Sequence, residues 1–233
     1  PVVIDIPKNV QVATGSYAVP EQIDHRSYRP QVEPDSAAIE EAVAMIAAAK
    51  CPIFYTGGGV INAGPHASDA LRELVALTGA PVTSTLMGLG AYPASAPQWL
   101  GMLGMHGTYE ANFAMNRADL IIAVGARFDD RVTGRLDAFA PNSKKIHIDI
   151  DRSNINKIVH VDLPIVADAD RALIALLAAW KAKGCAAQDL GEWWRRIDGW
   201  RAARCLDFPE KTESSADIMP QRAVKALYEA TKH

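Results

Sequence analysis

Short apolar runs alternate with stretches of helical periodicity through the middle of the chain. Residues 52–56, 81–84, 120–124, 145–150 and 165–167 are brief and mostly apolar or β-branched, which predicts strands. Between or after them, residues 66–78, 108–117 and 168–183 carry apolar positions at helical spacing and predict helices. An earlier helix, from Ser36 or Ala37 to Lys50, places Ile39, Val43, Ile46 and Ala47 on one face. Strands that are apolar on both sides belong inside a sheet covered by helices, and strand-helix alternation at this spacing implies right-handed crossovers. The pattern predicts an α/β fold built on a doubly wound, Rossmann-like parallel sheet.

The flanks break the pattern. Residues 1–6 read as a buried strand that starts without an initiator Met, and residues 217–232 read as the start of a helix with Asp217 as its cap. That helix carries Ala223, Val224, Leu227 and Tyr228 at helical spacing, and both flanks need packing partners from elsewhere. A segment of a longer polypeptide is the expectation. Residues 8–34 are rich in Pro, Gln, Ser and Arg without sustained periodicity and predict a surface linker. In residues 186–215, Trp193, Trp194 and Trp200 sit beside several arginines. They read either as an aromatic-basic ligand platform or, the favoured reading, as a connecting helix whose indoles pack against neighbouring domains, since Trp and Arg are enriched at interfaces generally.

Composition narrows the class. With 49% apolar and 22% charged residues among 233, the chain can bury one sizeable core. A net charge of -3 with both signs interspersed leaves no electrostatic footprint for nucleic acid or an anionic membrane. Three widely spaced cysteines, Cys51, Cys185 and Cys205, form no CxxC or Cys/His metal pattern and suit a reducing cytoplasm. No apolar run reaches the roughly 18 to 20 residues of a membrane span, and no signal segment opens the chain. Small-molecule chemistry in the cytoplasm is the expectation.

Candidate chemistry gathers in glycine-marked loops at predicted strand ends, where open parallel sheets bind ligands. Gly57-Gly58-Gly59 follows a strand and predicts a turn that permits positive φ angles and brings backbone N–H groups close to a phosphate. It lacks the GxGxxG spacing, and no acidic residue closes the next strand. The string GARFDDRVTG, residues 125–134, sets Arg127, Asp129, Asp130 and Arg131 just beyond another strand. Guanidinium groups there can grip a diphosphate while a carboxylate accepts from a ribose or ribityl hydroxyl; the alternative is a solvated, salt-bridged loop. His106, between glycines in Gly104-Met105-His106-Gly107, can stack on or hydrogen-bond to a ligand beside the adaptable Met105, and Thr108 can cap the helix that follows. Asp149 and Asp151 end a further strand, where ribose contact ranks first, helix capping second and metal binding third. Asp168 either caps the next helix or reaches the same ligand. No nucleophile elbow, P-loop, Ser/His/Asp arrangement or zinc spacing occurs.

The strings TLMGLG at 85–90, LGMHG at 103–107, GARFDDRVTG at 125–134 and HIDID at 147–151, in that order and spacing, closely resemble the catalytic subunit of the acetolactate synthases, also called acetohydroxyacid synthases. The resemblance covers nearly the whole chain. Residues 1–12 resemble the end of the family's N-terminal pyrimidine-binding domain, 13–34 a linker, 35–185 its central FAD-binding domain, 186–215 an interdomain linker, and 216–233 the start of its C-terminal thiamine-diphosphate-binding domain. This implies a thiamine-diphosphate and Mg2+-dependent transferase that decarboxylates pyruvate. The two-carbon unit is joined to a second 2-oxo acid, pyruvate or 2-oxobutyrate, in branched-chain amino acid biosynthesis, and FAD is chiefly structural.

By the same resemblance, Gly57, Gly58, Gly59, Thr85, Leu86 and Met87 lie along the FAD. Gly104, Met105 and His106 approach the flavin; Gly125, Arg127, Asp129 and Arg131 hold the diphosphate and ribityl portion; Asp149, Ile150, Asp168 and Ala169 face the adenosine end. Met105, Asp130 and Arg131 match positions lining the substrate channel, and Arg26 or Arg29 matches a linker arginine that contacts FAD. The family's activating glutamate belongs to the N-terminal domain and its Gly-Asp-Gly metal signature to the C-terminal one. No Gly-Asp pair occurs here, so no catalytic or metal residue is assigned and the segment alone is expected to be inactive. Implied partners are the remaining domains of the same polypeptide, further copies in a homodimer or tetramer, and a regulatory small subunit. Two alternatives stay open: the ADP- or FAD-binding domain of another thiamine-diphosphate enzyme such as glyoxylate carboligase, and a nicotinamide-dependent oxidoreductase domain, which predicts the absent GxGxxG.

Overall fold

The residues that are apolar on both sides form the middle of a parallel sheet of six strands, in the order β3-β2-β1-β4-β5-β6. The computed structural model describes residues 3–19, 21, 30–186, 189–209 and 218–232. Along the chain come α1 (Lys8–Gln11), α2 (Ser36–Ala48), β1 (Pro52–Thr56), α3 (Gly58–Asn62), α4 (Pro65–Thr78), β2 (Val82–Ser84), β3 (Trp99–Met102), α5 (Tyr109–Arg117) and β4 (Leu120–Val124). They are followed by α6 (Asp130–Thr133), β5 (Lys144–Asp149), β6 (Leu163–Val166), α7 (Ala169–Ala182), α8 (Gly191–Arg201) and α9 (Pro220–Thr231).

The winding direction reverses between β1 and β4. The β1-α4-β2 crossover runs one way and β3-α5-β4 the other, so right-handed connections put α4 and α5 on opposite faces. Accordingly α4 packs on α7, which also carries α2, whereas α5 packs on α8. Covered on both faces, β1 and β4 are buried at every position. Ile53, Phe54, Ile121 and Ile122 of these strands meet Leu71, Leu74, Leu173 and Leu176 of the helices in one continuous core.

Local chemistry sets the helix ends. Asp35 caps α2 by accepting from Ala38 N at 3.0 Å, and Asp168 caps α7 by accepting from Asp170 N at 2.9 Å. Thr108 Oγ1 accepts from Ala111 N at 3.2 Å and donates to Leu100 O at 2.5 Å, so one hydroxyl both starts α5 and holds β3. Helix α4 opens on Pro65 and stops at Gly79 in the left-handed conformation. The Asp119 carboxylate, just before β4, accepts from Lys50 N at 2.7 Å and Cys51 N at 2.9 Å, locking the entrances of the two central strands together.

Four expectations need correction. Residues 3–7 form no strand and residues 3–6 lie exposed, because a strand needs a ladder partner and neither sheet edge pairs with them. Strand β3 was not foreseen. Gly57, Gly58 and Gly59 form no positive-φ turn: Gly57 is extended at φ -123°, and the other two open α3. Space demands Gly57 and Gly59 instead, since a Cβ on Gly57 would lie 2.2 Å from Gly125 O and one on Gly59 2.6 Å from Gly125 Cα. The tryptophans form no ligand platform but pack on this same domain: Trp193 Nε1 donates to Pro52 O at 3.0 Å and Trp194 Nε1 to Gly79 O at 2.9 Å. Arg196 lies over the Trp193 and Trp200 rings at 5.2 and 5.6 Å, so these indole faces meet a cation of their own helix. Helix α9 is described only from Pro220, and its Val224, Leu227 and Tyr228 are exposed. Asp217, Arg26 and Arg29 lie outside the described residues.

Candidate functional site

The loops leaving the carboxyl ends of all six strands converge on one cleft of about 710 Å3. It opens at the reversal point between β1 and β4, the place where doubly wound sheets leave a crevice. The closeness of the two central loops follows from their glycines. Gly59 N donates to Gly125 O at 3.0 Å, Gly57 N to Val124 O at 3.0 Å, and Gly125 N to Ile148 O at 2.8 Å, so the cleft floor is bare backbone. Gly125 itself has φ +56° and presses on Gly59, so both conformation and space exclude a side chain there.

Gly58, Gly59, Thr85, Leu86, Met87, Met105, His106, Gly125, Arg127, Asp129, Arg131, Asp149, Ile150, Asp168 and Ala169 all line this cleft. Three residues singled out in the sequence do not. Gly57 lies beneath the floor. Gly104 sits behind the wall: its N–H donates to Asn112 Oδ1 at 2.8 Å, its carbonyl accepts from Asn112 Nδ2 at 3.0 Å, and a Cβ there would lie 2.5 Å from Arg131 O. Asp130 lines a side hollow of about 250 Å3 together with Lys157 and Asn154.

The lining changes character along its length. Over β2 and β3 it is apolar, with Leu86, Met87 and Met105 at 68%, 74% and 62% exposure, unusual for such side chains unless something covers them. Met105 N donates to Arg131 O at 2.9 Å, which joins this wall to the next loop. Over β4 the lining is ionic. Arg127 and Asp129 stand 3.8 Å apart, and Arg131 and Asp130 3.9 Å, all well exposed; such loose pairs contribute little and leave the guanidinium groups available to an anion. Over β5, Asp149 is buried. Its Oδ1 accepts from Asp151 N at 2.8 Å, while Oδ2 has Asn154 Nδ2 at 3.4 Å and the buried His147 Nε2 at 3.8 Å and keeps capacity for a ligand hydroxyl. The Ser153 hydroxyl and N–H hold the Asp151 carboxyl below its ordinary range, so it stays ionised at the rim. Over β6, the first turn of α7 points its N–H groups towards the cleft beside Asp168.

Asn62, Met102, Leu103, Val132 and Asn154 also line the cleft and were not foreseen. Asn62 and Asn154 belong to short helical turns whose direction depends on distant packing, and no local pattern marks them. Among the described residues, no three His, Cys, Asp or Glu side chains converge as metal ligands, and no helix is long and apolar enough to cross a membrane.

Residues 39–176 match the family model described as thiamine pyrophosphate enzyme, central domain. The chain is 45% identical over 235 residues to the acetolactate synthase large subunit of Haemophilus influenzae, covering 100% of this chain and 40% of that protein. It is 43% identical over 236 residues to the acetolactate synthase isozyme 3 large subunit of Escherichia coli, with the same coverage of 100% and 40%. With the acetolactate synthase large subunit of Corynebacterium glutamicum the identity is 45% over 229 residues, 97% of this chain and 36% of that protein. The chain thus spans about two fifths of the length of these relatives. A doubly wound sheet with its cleft at the reversal point, and a matching family model over more than half of the sequence, together make this chain a member of the thiamine pyrophosphate enzymes, carrying their central domain.

Proposed function

We propose that the chain is the cofactor-holding central portion of an acetolactate synthase large subunit and that FAD lies in the cleft. The observation that carries this reading is the order of chemistry along one continuous cavity of about 710 Å3. A volume within the ~300–1,000 Å3 of small-molecule sites supports a cofactor. Crossing all the strand ends at about 4.8 Å per strand gives a length of roughly 24 Å, which suits an extended dinucleotide better than a mononucleotide. The glycine floor fits a ligand lying flat on backbone. In this reading Asp149 accepts from a ribose hydroxyl at the adenosine end near Ile150, Asp168 and Ala169. Arg127 and Arg131 neutralise the diphosphate with the Gly58 N–H beside them, and Asp129 accepts from the ribityl chain. Leu86, Met87, Met105 and His106 then sandwich the flat ring and exclude water from it. FAD supplies, when bound, a rigid surface with no net redox part in the reaction.

The full protein, in this proposal, decarboxylates pyruvate and transfers the two-carbon unit to a second 2-oxo acid, with thiamine diphosphate and Mg2+ held by residues outside this chain. Its partners are further copies of itself, and a regulatory subunit where one exists. Titrating the purified full-length protein with FAD, ADP and NAD, followed by flavin fluorescence and thermal stability, tests the cofactor, because a ligand of the native state raises stability by mass action. Selective stabilisation by FAD, with acetolactate formed from pyruvate, is expected. Stabilisation by ADP alone would make this a thiamine enzyme without flavin, and tight NAD binding would overturn the reading.

A further inference from the structure

Beneath the cleft lies a buried polar row that does not line it. Ala123 of β4 pairs in register with Tyr55 of β1 on one side and with His147 of β5 on the other. Register neighbours in a parallel sheet face the same side, so the row presents a phenol, a methyl group and an imidazole together. The small central residue leaves a slot, and Phe128 fills it. Its ring centroid lies 5.5 Å from that of Tyr55 and 5.3 Å from that of His147, the latter edge-on at 82°.

The two polar tips then reach consecutive carbonyls of the same loop. Tyr55 Oη donates to Arg127 O at 2.6 Å, and His147 Nε2 lies 2.9 Å from Ala126 O. A carbonyl can only accept, so Nε2 carries the proton and the buried, unpartnered Nδ1 does not. Tyr55 and His147 are fully buried, whereas the Arg127 side chain is 73% exposed. The loop backbone is therefore gripped from below while the Arg127 side chain is exposed above, only loosely paired with Asp129.

We propose that Tyr55 and His147 are positioning residues that bracket residues 126–128 and so hold Arg127 and Asp129 ready for an anionic ligand before it arrives. The inference rests on the cleft being a nucleotide site, and it adds that the arginine loop is preorganised from the strands on either side of β4. Preorganisation matters because every loop residue left to be ordered by the ligand subtracts from affinity.

Tyr55→Phe is the sharpest test, since it removes one hydroxyl and keeps the ring against Phe128. In the full-length protein, this variant should bind FAD about three- to tenfold more weakly, the loss expected for one hydrogen bond. His147→Leu should do the same, and His147→Gln, whose amide can still donate, should recover most of the affinity. In the absence of flavin, trypsin should cut after Arg127 and Arg131 faster in Tyr55→Phe and His147→Leu than in wild type while cleavage elsewhere, as after Arg72 of α4, keeps its wild-type rate; a general loss of stability would speed both. Unchanged FAD affinity and unchanged cleavage would overturn the bracket, as would affinity losses that merely follow melting temperature in all three variants. If the wild-type protein binds no flavin, the cleft reading fails and the cleavage comparison still decides the bracket.

Discussion

Gly59→Ala should destabilise the protein even though the residue sits in a helix, where alanine is ordinarily the better choice. A Cβ at Gly59 would lie 2.6 Å from Gly125 Cα and 3.1 Å from Gly125 O. Ordinary carbon contacts fall at about 3.5–4.0 Å, so the loops after β1 and β4 must part by about 1 Å. Overpacking of this kind costs about 1–3 kcal/mol. Parting also stretches the Gly59 N to Gly125 O bond, now 3.0 Å, which contributes about 1 kcal/mol. Against this stand gains of up to about 1 kcal/mol from helix propensity and from the stiffer unfolded chain. The balance is a loss of about 1–3 kcal/mol, or roughly 3–10 °C in melting temperature for a chain of this size. Gly58→Ala is the control, one residue earlier in the same helix. Its Cβ meets Met87 Cβ at 3.2 Å, on an exposed turn that can shift, so stability should stay within about 0.5 kcal/mol of wild type. Unfolding followed by the fluorescence of buried Trp180 and Trp193 reads both. The reasoning is refuted if Gly59→Ala proves as stable as Gly58→Ala.

Three further outcomes can be checked. Thr108→Val removes both the cap of α5 and the partner of Leu100 O, and should cost about 1–3 kcal/mol in a urea titration, with Thr108→Ser nearer to wild type. Trp193→Phe strands the buried Pro52 carbonyl and should cost about 1–3 kcal/mol, whereas Trp194→Phe, whose indole bond is only part-buried, should cost less. Burial holds the His147 pKa below its ordinary 6.5, although Asp149 beside it and Ala126 O pull the other way. The unfolded chain therefore takes up a proton that the folded chain refuses, and stability present above about pH 6.5 should fall as pH drops towards the depressed value. His147→Gln should flatten that part of a stability-against-pH curve, and an unaltered slope would count against the assignment.

Legibility followed the range of the interactions involved. The runs that became β1 and β4 could be read to the residue, because burial on both faces leaves a continuous apolar signature that owes nothing to context. Strand β3 could not, since Trp99-Leu100-Gly101-Met102 has neither alternation nor β-branching, and Gly101 stands at φ +91°. Its strand character comes from pairing with β2, which shifts register between Val82 and Ser84. The glycine triplet announced a special backbone but not the reason for it, because the crowding partner, Gly125, lies in another loop. Cap residues such as Thr108 and Asp168 were readable because they act within three residues. Tyr55 and His147 were not marked as special, since their partners follow a strand other than their own.

The tryptophan helix gives the chain a schedule as well as a seal. Trp193 and the Pro52 carbonyl it satisfies are 141 residues apart. At ribosomal rates of about 5–20 residues per second, the acceptor waits on the order of 10 s for its donor. Every strand of the sheet has been synthesised by then, so collapse can run ahead of closure. For that interval the lower end of the central strand is a seam open to water, to chaperones and to wrong partners. A chain interrupted before Gly191 would keep all its strands and leave that seam unclosed.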